Sequence, residues 1–131
     1  MRAVARRENA GFRQSVTVRT HVVTADEPRD LGGEDAGPKP EELLAASLAS
    51  CTAITMEMYA RRKGWDVGEI EVQVDYEPAH RGSPTRFDMV IRFPGGVPSD
   101  QRERLLQVAA KCPVHRTLEG EVMFAERVEL T

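Results

Sequence analysis

From Leu43 to Met56 the chain reads LLAASLASCTAITM, without a single charged residue. That is roughly four turns of helix at 3.6 residues per turn. A helix on a protein surface shows a polar face within two turns. Here the polar side chains are Ser47, Ser50, Thr52 and Thr55, all small. The segment is therefore expected to be buried nearly all round. A chain of 131 residues fits a single domain spanning 1–131. A domain of that size is too small to wrap such a helix with its own sheet on every side. A second copy of the chain is expected to cover the remaining face, with Ala45, Ala46, Ala49 and Ala53 permitting close approach. The competing reading sandwiches the helix between the sheet and a Ser99–Lys111 helix of the same chain.

The flanking sequence supplies the sheet. Ser15 to Thr24 carries Val16, Val18 and Val22 between polar residues, a bent strand or hairpin. Asp26 to Pro40 holds Pro28, Gly32, Gly33, Gly37 and Pro38, which forbids a continuous helix or central strand and predicts a long loop. Helix formers run from Glu41 to about Arg62, with Pro40 suited to the first turn and Gly64 to the end. Ile70, Val72, Val74 and Tyr76 alternate with polar residues, and so do Phe87, Met89, Ile91 and Phe93. These predict two antiparallel strands with one buried face each. Ser99 is expected to cap a helix holding Leu105, Leu106, Val108 and Ala109. Pro113 starts a short helical turn that Gly120 stops. Val122, Phe124, Val128 and Leu130 predict a final strand. The order defines an α+β fold.

Composition excludes several functions. A 40% hydrophobic content supports a core rather than disorder. A net charge of −3 and 5% aromatic residues argue against a nucleic-acid partner. Two cysteines rule out a disulfide-dense scaffold. The first residues, Met-Arg-Ala-Val-Ala-Arg-Arg-Glu, lack the apolar stretch of a signal peptide. No run reaches the roughly 18 apolar residues of a membrane span. The expectation is a cytoplasmic protein with no membrane partner.

The chemistry rests on sulfur. Cys51 lies in the middle of the apolar helix, where a small buried hydrophobe is the bland reading. Apolar surroundings raise a thiol's pKa, so a reactive Cys51 needs a fixed cation, an arginine above all. Cys112 lies in Lys-Cys-Pro-Val-His-Arg, at the start of a short helix beside Lys111, His115 and Arg116. Helix N-termini and nearby cations favour thiolate, although a capping position that happens to hold Cys is equally consistent. Zinc is a weak reading, because no paired ligand spacing accompanies Cys112 and His115. No nucleophile elbow or phosphate loop is present.

Three segments together resemble the OsmC/Ohr family of thiol peroxidases. They are HVVTADEPRDLGGEDAGPKP from His21 to Pro40, the helix from Pro40-Glu41-Glu42-Leu43-Leu44 through Cys51-Thr52-Ala53, and KCPVHRTL from Lys111 to Leu118. The resemblance implies an intertwined homodimer with long central helices buried on antiparallel sheet and active sites at the subunit interface. It implies that Cys51 is the peroxide-attacking thiol and Cys112 the resolving thiol, joined in a disulfide during turnover. Glu41 matches the family's catalytic carboxylate, and Arg29 is the assisting arginine, with Arg13 second. The implied activity is reduction of organic hydroperoxides by an external dithiol, with no cofactor and no metal. A redox-sensing or ligand-binding domain with little turnover is the alternative. A regular helix would separate Glu41 from Cys51 by about 15 Å, ten residues at 1.5 Å each. Their cooperation therefore calls for an unwound first turn, a bridging arginine, or a second subunit.

Overall fold

The structure, a computed structural model, describes all residues from 1 to 131. It contains strands β1 (Ala3–Arg7), β2 (Gln14–Val18) and β3 (His21–Ala25), then helix α1 (Pro40–Lys63). Strands β4 (Glu71–Glu77) and β5 (Arg86–Arg92) follow, then helices α2 (Ser99–Ala109) and α3 (Pro113–Glu119). The α+β expectation holds. The residues group into two compact units, Met1–Ala46 with Tyr76–Phe87, and Ser47–Asp75 with Asp88–Thr131.

In the first unit β1, β2 and β3 form an antiparallel sheet in that order. The valine-rich segment expected as a bent strand or hairpin is a hairpin. Val18 faces His21 across a two-residue turn, and Arg19 takes a positive φ of 54° there. Strand β1 escaped the sequence reading because Arg6 and Arg7 blur its alternation. An edge strand tolerates such charges, since they discourage pairing with other chains.

The long loop is ordered by one carboxylate. Asp26 is buried, and its side chain accepts hydrogen bonds from the backbone N–H groups of Glu27 (2.8 Å), Glu34 (3.2 Å) and Ala36 (3.1 Å). Arg13 stands nearby, paired with Glu8 at 3.7 Å and Glu34 at 3.5 Å. Burial pushes the Asp26 pKa up, but the three N–H donors and the Arg13 charge outweigh it and hold the group below its ordinary value. A carboxylate depressed on folding stabilises at pH above its unfolded pKa, and that contribution is lost as pH falls through the folded one. Asp26→Asn is therefore expected to lower the thermal midpoint at neutral pH. The gap from wild type should close below about pH 4, the ordinary Asp range. A gap that stays constant across that range would refute the assignment.

The second unit is built on α1. Its buried positions are Leu48, Thr52, Met56 and Ala60, a stripe at intervals of four. Met56 and Ala60 enter a core with Val67, Ile70, Val97, Leu105 and Ala109, flanked by Val72 and Ile91 of the β4–β5 pair. The long helix thus packs on antiparallel sheet, as expected. Alternation along β4 and β5 places Val72, Val74, Phe87, Met89 and Ile91 on half-buried positions and leaves the polar residues outside.

Helix α1 ends in a Schellman motif. The Trp65 N–H donates to Ala60 O at 2.9 Å and the Gly64 N–H to Arg61 O at 3.1 Å, with Gly64 at φ 70°. Trp65 then packs edge-on against Tyr59, with ring centroids 5.7 Å apart. A Cβ at Gly64 meets nothing within 4 Å, so only backbone conformation penalises a side chain there. Gly64→Ala should cost about 1 kcal/mol in denaturant-unfolding free energy.

Three expectations need correction. Ser99 is the first helical residue of α2 rather than its cap; Pro98 holds the cap position with no side-chain hydrogen bond. The final strand does not form. Residues 121–131 are irregular, and Val122, Phe124, Val128 and Leu130 stand exposed, because an alternating segment has no ladder to join without a neighbouring edge. Helix α1 is not buried all round within one chain, as the short chain length led one to expect, and the competing sandwich within one chain does not form. Ile54 is 53% exposed and Met58 63%, so the second unit covers only the stripe. Finally, α1 does have the length and apolar composition to cross a membrane, contrary to the run-length reading, as core helices of soluble proteins also do.

Candidate active site

Cys51 lies on α1, one position before the buried Thr52, and is half-buried; Cys112 is wholly buried. Cys112 occupies the N-cap of α3, where an extended backbone turns into helix at Pro113. Proline suits that first position because its missing N–H would have no intrahelical partner. A cap needs an acceptor, and sulfur takes that role: the His115 N–H donates to Cys112 Sγ at 3.3 Å. The Thr52 hydroxyl lies 3.8 Å from the same sulfur. The expectation that Cys112 opens a short helix is met. Of the cations named beside it, His115 reaches it through backbone alone, while its ring pairs with Glu119 at 3.0 Å.

The two thiols are neighbours. The Cys112 side chain, the Val114 backbone and the Thr55 side chain are near enough to Cys51 to act on its charge. Both cysteines are free thiols. Burial pushes the Cys51 thiol above the ordinary range, and the adjacent Cys112 pushes it further; the Val114 backbone and the Thr55 side chain act in the opposite direction without cancelling the rise. No arginine is among the groups that dominate this balance. A shallow hollow of about 420 Å³ opens beside Cys51, walled by Ile54, Met58, Pro113 and Val114.

The charged residues implicated by resemblance lie in the first unit. Glu41 is exposed in the first turn of α1, which is regular from Pro40 onward, so the first turn does not unwind. It lines a hollow of about 510 Å³ with Phe12, Asp26, Glu27 and Leu31. Arg29 opens a short 3-10 turn, Arg29–Leu31, and its exposed side chain has no carboxylate partner. Arg13 is held between Glu8 and Glu34. No group of three or more His, Cys, Asp or Glu side chains gathers as a metal site.

Sequence reasoning missed Thr52, Thr55 and Val114 as neighbours of the thiols. The signal for Thr55 was present: it follows Cys51 by four residues and so shares its helix face. Thr52 could be found only from the fold, because its partner sulfur is sixty positions away.

A buried thiol capping one helix, against a half-open thiol on another, defines an α+β protein of dithiol type. Residues 32–127 match the family described as OsmC-like protein. The chain belongs to that family. A solved structure from Psychrobacter arcticus, proposed to be an osmotic stress induced and detoxification response protein, superposes with a TM-score of 0.75 at 22% identity, over 88% of this chain and 85% of that one. An organic hydroperoxide resistance protein OsmC of Legionella pneumophila gives 0.59 at 20% identity, over 92% and 90%. The organic hydroperoxide resistance protein OhrB of Bacillus subtilis gives 0.61 at 22%, over 91% and 90%. An uncharacterised protein of Acinetobacter baylyi is 27% identical over 90 residues, which is 66% of this chain. The chain spans 62% of the length of that relative.

Proposed function

We propose that this chain is a thiol-dependent peroxidase that reduces organic hydroperoxides. The observation that carries the reading is the difference between two neighbouring sulfurs: Cys51 is half-open to solvent and Cys112 is 0% exposed. A peroxide or an external reductant can reach the first and not the second. The Cys51 thiolate attacks the distal oxygen of the hydroperoxide, the O–O bond breaks, the alcohol leaves, and Cys51 becomes a sulfenic acid. Cys112 then attacks that sulfur; a disulfide forms and water leaves. An external dithiol reduces the disulfide and is itself oxidised. The apolar wall beside Cys51 favours an organic tail over hydrogen peroxide, since burial contributes about 25 cal/mol per Å².

A thiol raised by burial is a poor nucleophile at neutral pH, so the reading requires a cation at Cys51 in the working protein. Arg29 is the better candidate, because no carboxylate competes for it, whereas Arg13 is already engaged by two. Glu41 positions that arginine. The working form is a homodimer in a reducing compartment, the cytoplasm. Support for the dimer comes from apolar surface that one chain leaves open: Ile54 and Met58 on α1, Val22 on β3, and the alternating residues 122–130.

The test is hydroperoxide consumption with a dithiol reductant, using cumene hydroperoxide and hydrogen peroxide, alongside the mass and solution size of the oxidised protein. Sustained turnover, preference for the organic peroxide and a Cys51–Cys112 disulfide in a dimer are expected. Disulfide formation without turnover would favour the sensing alternative.

A further inference from the structure

At the C-terminal end of α1, three cations converge on one aromatic ring. The Arg104 guanidinium lies 5.3 Å from the Tyr59 centroid, the Lys63 ammonium 5.7 Å and the Arg62 guanidinium 5.8 Å. Arg104 comes from α2 and donates from Nε to the Tyr59 hydroxyl at 2.9 Å, with Nη1 on Gln107 at 3.0 Å. Cation–π attraction offsets part of the repulsion among like charges held this close. The chain has 21 acidic residues against 18 basic ones, yet none of its carboxylates pairs with these three cations. Capping does not explain the gathering either, since backbone N–H groups of Gly64 and Trp65 already satisfy carbonyls at the helix end.

We propose that the Tyr59 cluster, with Arg62, Lys63 and Arg104, is a binding site for a doubly charged oxyanion of the phosphate monoester class. Two guanidinium forks match phosphate oxygens with paired N–H donors, and the ammonium adds a compact third charge. The phenol already reports the same field. Its hydrogen bond from Arg104 leads burial and the neighbouring charges in setting a pKa below the ordinary tyrosine value, as expected where negative charge is welcome. The site is separate from the thiols and does not depend on the peroxidase reading.

The chain has one tryptophan, Trp65, packed on Tyr59, so its fluorescence reads the site directly. Inorganic phosphate, glycerol phosphate and vesicles containing phosphatidic acid would be titrated against the full chain at constant ionic strength, with chloride as control. A saturable change with phosphate or glycerol phosphate and a dissociation constant below about 1 mM is expected, with no response to chloride. Arg104→Gln should weaken it about tenfold, as should Arg62→Gln, both at exposed positions that leave the core intact. Binding should also move the alkaline absorbance transition of Tyr59 to higher pH. An unsaturable response, variants that bind as tightly as the wild type, or binding to the vesicles alone would overturn the proposal.

Discussion

Cys51→Ser is expected to bring hydroperoxide consumption down to the rate of buffer with dithiol alone. A loss of at least about a hundredfold corresponds to roughly 3 kcal/mol of barrier. Serine keeps the shape of the position but cannot supply a thiolate. Cys112→Ser should behave differently. The first oxidation proceeds once per chain, and the sulfenic acid then persists, because the group that would resolve it is gone. A dimedone adduct on Cys51 in this variant, absent from the oxidised wild type, would show the division of labour. Consumption that persists in both variants, without an adduct, would show that the two sulfurs serve packing rather than redox chemistry. The variants should stay folded, since a hydroxyl can take the place of Cys112 Sγ as acceptor for the His115 N–H. Serine at 112 still places a more polar group in a fully buried cavity, and a modest fall in thermal midpoint is expected.

Gly33→Ala is the second substitution with a large expected effect, and it acts through backbone. A Cβ at Gly33 would stand 1.9 Å from Glu27 O and 2.5 Å from its carbonyl carbon. No rotamer relieves a clash between a Cβ and main chain, so the loop must move. The movement strains the turn in which the Gly33 N–H donates to Pro28 O at 3.0 Å and the Asp35 N–H to Glu27 O at 3.1 Å. A cost of about 2–3 kcal/mol is expected, the upper part of the range for overpacking. Chemical denaturation of the variant beside Gly64→Ala separates steric from conformational cost. Gly33→Ala should be the more damaging of the pair, and the reverse order would mean that the loop yields freely.

The sequence was most informative where one element decides its own fate. Pro40 and Gly64 bracket α1, and alternation in 70–76 and 87–93 marks the β4–β5 pair, because helix ends and strand faces are local properties. The two cysteines were legible as chemistry, but their adjacency was implied only by resemblance. The contacts around them, of Val114 with Cys51 and of Thr52 with Cys112, depend on α3 arriving beside α1, which no local pattern encodes. The strand expected over 122–130 shows the converse. Its alternation is clear, but a strand is a relation between two segments, and periodicity names only one of them. Strand β1 went unread because charges at an edge obscure its pattern. Asp26 was passed over because loop composition says nothing about which carboxylate will be enclosed by the backbone.

Not every glycine in this chain is under constraint. Gly33 and Gly37 are pressed against main-chain atoms of Glu27 and Thr24, whereas an added Cβ at Gly95 or Gly96 meets nothing within 4 Å. The bend between β5 and α2 is thus the place to graft an epitope, a fluorophore attachment point or a short insertion. The Asp26 loop, despite its similar richness in glycine, would reject all three.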